Sequence, residues 1–292
     1  MKKVIAVTGP TASGKTKLAI KIANYFKTPI ISCDSVAVYR GLDIGSAKPT
    51  KEELKQAKHY LIDILDPKDS FDVATCQKMA RAIIDKEKLS ILCGGTGLYI
   101  SAILNDYEFK APKRDESFAK TYSNYSNDEL YNLLKIHDEK KALELHPNNR
   151  KRVLRALEAS LSGNNLSEAT NKKEALYDSY IIYLDMDRNV LYQRIDQRVE
   201  EMFKLGLEKE AYKLYQEGSL VNAIGYKEFL PYFNHLISLE EVKEAIKTNT
   251  RHLAKRQRTW FKNQMKAHFF DALSPTLVSD VLTELKKFEE EQ

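Results

Sequence analysis

Along most of the chain, short apolar runs alternate with longer stretches of helical period. Val4-Ile5-Ala6-Val7-Thr8, Pro29 to Cys33, His59 to Leu65, Leu89 to Cys93 and Tyr180 to Leu184 are rich in β-branched and aliphatic residues. They predict buried parallel strands. Between them, Lys17 to Phe26 places Leu18, Ile22, Tyr25 and Phe26 on one helical face. Lys51 to Lys58, Val73 to Lys88 and Arg188 to Leu205 repeat the helical period. This alternation predicts a parallel sheet with helices on both faces. Between Pro112 and about Asp178 the strand signals stop. Ser126 and Glu129 match a capping box for a helix through Leu130, Leu133 and Leu134. A second helix fits Arg150 to Leu161, with Val153, Leu154, Leu157 and Leu161 as its apolar face. The expected organisation is an α/β core of residues 1–112 and 179–292 carrying a helical insertion over 113–178. A last short strand is expected at Ala267 to Phe270, and a frayed tail at Glu289 to Gln292.

Residues 9–16 read GPTASGKT, the spacing of a phosphate-binding loop. The loop follows a predicted strand and opens a predicted helix, which makes the fold P-loop NTPase-like. Its glycines permit close backbone approach, and N–H groups at the helix start face an anion. Lys15 adds a point charge, and Thr16 offers a hydroxyl to Mg²⁺. The motif identifies bound phosphates without naming a reaction.

Composition narrows the class. The chain has 292 residues, 43% of them hydrophobic, which is enough for a sizeable core. No run approaches the ~18 apolar residues of a membrane span. The first strand begins almost at once, so no signal peptide is expected and the cytoplasm is the expected compartment. Cys33, Cys76 and Cys93 follow no metal-ligand spacing and read as reduced, packed thiols. The net charge of +5 is compatible with a polyanionic partner but does not require one.

Further chemistry has both functional and ordinary readings. Asp34 follows a strand end beside the phosphate loop, where it can hold a metal through water, accept a proton, or cap the next element. Gly94-Gly95-Thr96-Gly97 follows the Leu89–Cys93 strand, where many ATPases carry an acidic residue. Either a ligand or a tight turn explains these glycines. Arg194 and Arg198 share a helix face, suited to phosphates or to solvent. Arg150-Lys151-Arg152 with Arg155, and Arg251, Lys255, Arg256 and Arg258 beside Trp260 and Phe261, suit RNA or ordinary amphipathic helices.

Taken together, these segments resemble the tRNA dimethylallyltransferases, also called tRNA isopentenyltransferases. The matching stretches are GPTASGKT at 9–16, DSVAVYRGLDIGSAKP at 34–49, GGTGLY at 94–99, LHPNNRKRVLRALE at 145–158, RIDQRVEEM at 194–202, IGYKE at 224–228 and LAKRQRTWF at 253–261. The resemblance implies transfer of a dimethylallyl group from its diphosphate to N6 of the adenosine 3′ of the anticodon. It implies that Gly9, Pro10, Thr11, Ala12, Ser13, Gly14, Lys15 and Thr16 grip the donor diphosphate, with Mg²⁺ on Thr16. Asp34 then accepts the N6 proton or orients the amine, and Thr16 and Arg198 assist the leaving group. The resemblance assigns Asp34, Ser35, Val36, Ala37 and Thr96 to the reacting end of the tRNA. It assigns Lys151, Arg152, Val153, Leu154, Arg155, Gly225 and Arg256 to the anticodon arm, which makes the insertion a tRNA-contacting domain. A monomer is expected.

Two departures from the family pattern stand out. Val36-Ala37 replaces a common Met-Gln, so a polar contact is either missing or supplied by backbone, and Asn149 replaces a common Asp. No Cys/His zinc module follows Trp260, as in the short bacterial type. The alternatives are a P-loop small-molecule or nucleoside kinase, an adenylate isopentenyltransferase, and a nucleotide-dependent RNA-binding switch.

Overall fold

A computed structural model describes residues 1–107, 109, 116–166 and 174–291. The expected insertion boundary at Pro112 and Lys113 lies outside the described residues, as does Gln292. In chain order, β1 (Lys3–Thr8) leads to α1 (Lys15–Phe26), β2 (Ile30–Ser32), α2 (Lys51–Gln56), β3 (His59–Tyr60), α3 (Val73–Ile84), β4 (Leu89–Cys93) and α4 (Gly97–Leu104). Four helices follow: α5 (Glu116–Thr121), α6 (Asn127–His137), α7 (Glu139–Leu143) and α8 (Arg150–Leu161). Then come β5 (Asp178–Asp185), α9 (Arg188–Leu205), α10 (Leu207–Gln216), α11 (Phe229–Phe233), α12 (Leu239–Gln264), β6 (His268–Asp271) and α13 (Leu277–Glu290). Among the described residues no helix is long and apolar enough to cross a membrane.

The chain divides into two compact units. One is Met1–Leu104 with Ala175–Gln292, and the other is Asn105–Glu174. The first is built on a six-stranded, all-parallel sheet in the order β3-β2-β4-β1-β5-β6. Alternate residues of β1 serve opposite cores. Val4 and Ala6 pack with Leu92, Tyr183, Ile103 and Phe261 on one face. Ile5 and Val7 pack with Ile22, Ile182, Val281 and Leu285 on the other. A sheet buried on both faces requires apolar residues at consecutive positions, which is why its strands read as unbroken runs. A third core joins Val199, Leu207, Leu214, Tyr226, Phe229, Val242 and Ile246 around α9 to α12.

The sheet departs from expectation at one edge. The apolar run His59–Leu65 yields only a two-residue strand. Leu61 and Asp63 adopt positive φ of 62° and 54°, which turns the chain out of the strand. At the other end of the chain, Glu289 and Glu290 complete α13 instead of fraying.

In the second unit, Leu130, Leu134, Ala142, Val153, Ala156 and Leu157 form the core. The Ser126–Glu129 capping box is present: Glu129 N–H donates to Ser126 Oγ at 3.2 Å, and Ser126 N–H donates to Glu129 Oε2 at 2.7 Å. Arg150 donates to Tyr122 O and Tyr125 O, both at 2.6 Å, so it ties α8 to the chain before α6.

Phe261 is wholly buried, with its ring 5.3 Å from that of Tyr183. It therefore belongs to the sheet core and is not free to stack on a base. Phe261→Ala should lower unfolding free energy by about 3–5 kcal/mol. Urea denaturation measures this, and a loss of about 0.5 kcal/mol, the scale of a surface change, would contradict the placement.

Candidate active site

The loops at the carboxyl ends of β1, β2 and β4 converge, as expected where the strand order reverses in an open parallel sheet. With α9 and α12 they enclose a cavity of about 550 Å³, within the ~300–1,000 Å³ range of small-molecule sites. Thr11, Lys15 and Thr16 of the phosphate loop line it, as do Asp34, Ser35, Val36, Ala37, Thr96, Arg198, Gly225 and Arg256. Gly9, Pro10, Ala12, Ser13 and Gly14 shape the loop without lining the cavity. Gly14 precedes α1 in the left-handed conformation, at φ 89°.

Lys15 Nζ donates to Pro10 O at 2.6 Å, within its own loop. Burial pulls its ammonium down from the usual 10.5 to about 8, Arg198 adds to the depression, and Cys93 and Asp34 oppose it. The Asp34 carboxylate is divided. Its Oδ1 accepts from Val36 N–H at 2.8 Å and Ala37 N–H at 3.1 Å. Among the described residues its Oδ2 has no hydrogen-bond partner. The capping role and a free acceptor in the cavity thus coexist on one side chain. Both N–H groups engaged here belong to Val36 and Ala37.

Arg194 Nη1 donates to Ala12 O at 3.5 Å, and Arg198 Nη2 donates to Ala47 O at 3.4 Å. Burial lowers the Arg198 pKa. The acids beside them are engaged elsewhere: Asp196 pairs with Arg251 at 2.5 Å, and Glu200 pairs with Lys247 at 2.9 Å. Among the described residues neither Arg194 nor Arg198 forms an ion pair, so neither charge is neutralised by a carboxylate.

The glycines after β4 answer to a helix far along the chain. A Cβ on Gly95 would lie 2.2 Å from Gln257 Nε2, and one on Gly97 would lie 2.1 Å from Trp260 Cδ1. They admit α12, which brings Arg256, Gln257 and Trp260 to the cavity. Among the described residues, Gln257 Oε1 and Trp260 Nε1 are buried without a partner. Such an atom costs about 1–3 kcal/mol. The sequence offered no local signal for Gln257.

The basic clusters separate into engaged and free members. Arg251 pairs with Asp196, and Arg258 pairs with Asp185 at 2.8 Å. Arg155 Nη1 is held by buried Glu158 at 2.6 Å. Val153 and Leu154 are core residues, so their side chains offer nothing to a ligand. Lys151, Arg152, Lys255 and Arg256 remain exposed.

Burial pushes the thiol of Cys93 up to about 11 and that of Cys76 up to about 12, and it raises Cys33 well above its ordinary value. All three are free thiols and poor nucleophiles. Among the described residues no group of three or more His, Cys, Asp or Glu side chains is placed to hold a metal.

Comparison with known proteins places this geometry in a family. The family model described as IPP transferase matches residues 37–264. A tRNA dimethylallyltransferase of Anoxybacillus flavithermus is 41% identical, over 97% of this chain and 95% of its own. A solved tRNA isopentenylpyrophosphate transferase of Bacillus halodurans superposes with a TM-score of 0.75 at 38% identity, covering 99% and 98% of the two chains. A eukaryotic dimethylallyltransferase, solved in crystallographic snapshots of its action on tRNA, superposes with a TM-score of 0.81 at 27% identity. That match covers 98% of this chain and 79% of the other.

Binding of inorganic diphosphate should favour the charged Lys15. The free protein loses that proton as pH rises through about 8, so affinity should be full below this pH and fall above it. Lys15→Met should bind more weakly and lack the step, which separates it from ionisation of the ligand. Identical pH profiles by calorimetry would exclude Lys15 as the titrating group.

Proposed function

The chain belongs to the IPP transferase family, and on that premise we propose that it transfers a dimethylallyl group from dimethylallyl diphosphate to N6 of the adenosine 3′ of the tRNA anticodon. One observation carries this reading: Lys15, Thr16 and Arg198 line the same cavity as Asp34, whose Oδ2 has no hydrogen-bond partner among the described residues. A leaving diphosphate and an attacking amine thus find complementary groups in one enclosure. A kinase reading is not favoured, because the matched relatives carry the name tRNA dimethylallyltransferase.

The C1–O bond of the donor breaks, the N6–C1 bond forms, and diphosphate departs with the electron pair. Lys15, the loop N–H groups and Arg198 stabilise the negative charge that develops there. Bound diphosphate favours the charged ammonium, offsetting the burial that depresses it. Asp34 Oδ2 accepts the proton lost from N6, while the bonds to Oδ1 hold the carboxylate in orientation. An adenine amine is a weak nucleophile, so orientation toward C1 matters as much as basicity. The adenine leaves its stack to enter the cavity, beside Ser35, Val36, Ala37 and Thr96. Gly225 and Arg256 contact the adjoining tRNA, and Lys151 and Arg152 of the second unit hold the anticodon arm. Arg155 contributes less, since Glu158 already engages it.

Mg²⁺ fits this site, because it requires only one or two protein oxygens besides phosphates and Thr16, a hydroxyl-bearing residue, lines the cavity. When bound, Mg²⁺ supplies positive charge to the leaving diphosphate. The protein acts as a monomer in the cytoplasm, where its tRNA substrate resides. Light scattering of the free protein tests the monomer.

Transfer of labelled dimethylallyl from its diphosphate to tRNA tests the reading directly, with AMP and ATP as control acceptors. Saturable ATP hydrolysis without transfer would overturn it. Asp34→Asn should slow single-turnover transfer by at least roughly 100-fold. Donor and tRNA affinities should stay within about a factor of ten, since phosphate contacts dominate both. A large loss of Mg²⁺-dependent donor affinity, with transfer restored at saturating donor, would move Asp34 to the metal.

The paired change Lys151→Ala with Arg152→Ala should weaken tRNA binding. It should also flatten the log–log salt dependence by about 2, roughly 1 per phosphate contact. Unchanged affinity and slope would make this face a solvated surface only.

A further inference from the structure

The segment Asp43-Ile44-Gly45-Ser46-Ala47-Lys48-Pro49 has no helix or strand of its own, yet from Gly45 onward it walls the cavity. Its place is set by groups distant in sequence. On α10, the Glu210 carboxylate accepts from the backbone N–H of Asp43 at 3.0 Å, Ile44 at 2.9 Å and Gly45 at 3.1 Å. Tyr226 O–H donates to Glu210 Oε1 at 2.7 Å, and the Tyr226 hydroxyl oxygen in turn accepts from Ser46 N–H at 3.2 Å. Beyond Ala47, the nearly buried Lys48 ammonium donates to Tyr39 O at 2.6 Å and pairs with Asp43 at 2.7 Å and with Asp63.

Ala47 lies between these clamps at φ 55°, in the left-handed region. A residue other than glycine persists there only when its surroundings enforce the conformation, at a cost of order 1–3 kcal/mol. Its carbonyl is the group that accepts from Arg198. Arg198 stands on α9 and Glu210 on α10, consecutive helices joined at Gly206. One helical pair therefore carries both the guanidinium and the carboxylate that anchors its acceptor.

We propose that Glu210 and Tyr226 are positioning residues for Arg198: by clamping Asp43 to Ser46 they fix the Ala47 carbonyl that holds the guanidinium at the cavity. This rests on the transferase reading above. Neither residue lines the cavity, and each acts through the loop. Their loss should therefore slow the step in which diphosphate departs while leaving donor affinity little changed.

The test compares Glu210→Gln, which places an NH₂ group against backbone N–H donors, with Tyr226→Phe, which removes one hydroxyl and keeps the ring. At saturating donor, Glu210→Gln should reduce single-turnover transfer by about 10²-fold, the scale of a 1 Å misplacement, and Tyr226→Phe by less. In an Arg198→Ala background either change should cost less than about twofold, because the group being positioned is gone. Amide exchange at Asp43 to Ser46 should accelerate in Glu210→Gln. If Glu210→Gln fails to fold, Tyr226→Phe carries the comparison alone. Penalties that multiply in the double variants, unchanged transfer in the single variants, or unchanged amide exchange would each overturn the inference while the parent protein remains active. A parent protein that transfers nothing would overturn the transferase reading, and the inference with it.

Discussion

The site depends on the absence of two side chains. Gly95 and Gly97 leave room for Gln257 and Trp260, and any Cβ there would lie 2.1–2.2 Å from them. This contact seats α12 against the end of β4. The same helix buries Phe261 in the sheet core and Val242 and Ile246 among α9 to α11. One rigid rod therefore joins two hydrophobic cores and presents Arg256, Gln257 and Trp260 to the cavity. Protein interiors tolerate little change in volume, so this register leaves the helix no freedom to slide.

Around that frame the charges are sorted by use. Arg251, Arg258 and Arg155 are matched with Asp196, Asp185 and Glu158, and they serve the fold. Lys15 in the 9–16 loop, Arg194 at the loop's Ala12 carbonyl and Arg198 on the cavity wall have no carboxylate partner among the described residues. Asp34 combines both kinds of use, with one oxygen held by backbone and the other open. A carboxylate fixed at one oxygen needs little reorganisation when the other accepts a proton, which is the advantage of a preorganised site.

Local patterns were legible because local physics produces them. The phosphate loop follows from its glycines and Lys15, and α8 and α9 keep the bounds that their periodicity predicts. The Ser126 capping box formed because its partners are neighbours in sequence. What stayed hidden was non-local. Gly95 and Gly97 read as a turn or a ligand approach because their neighbour lies on a helix near the other end of the chain. Glu210 resembles any solvated acid on an amphipathic helix until the loop at Asp43 to Gly45 folds onto it. The aromatics beside the second basic cluster suggested stacking on RNA, whereas Phe261 belongs to the sheet core. Periodicity places a residue on a face but does not say what covers that face.

The left-handed Ala47 has a consequence for how tightly the cavity wall is defined. A glycine would occupy the same backbone conformation without strain and would favour the folded state locally. It would also let the unclamped peptide sample many more geometries. Alanine keeps the wall in a narrow ensemble at the expense of folding stability.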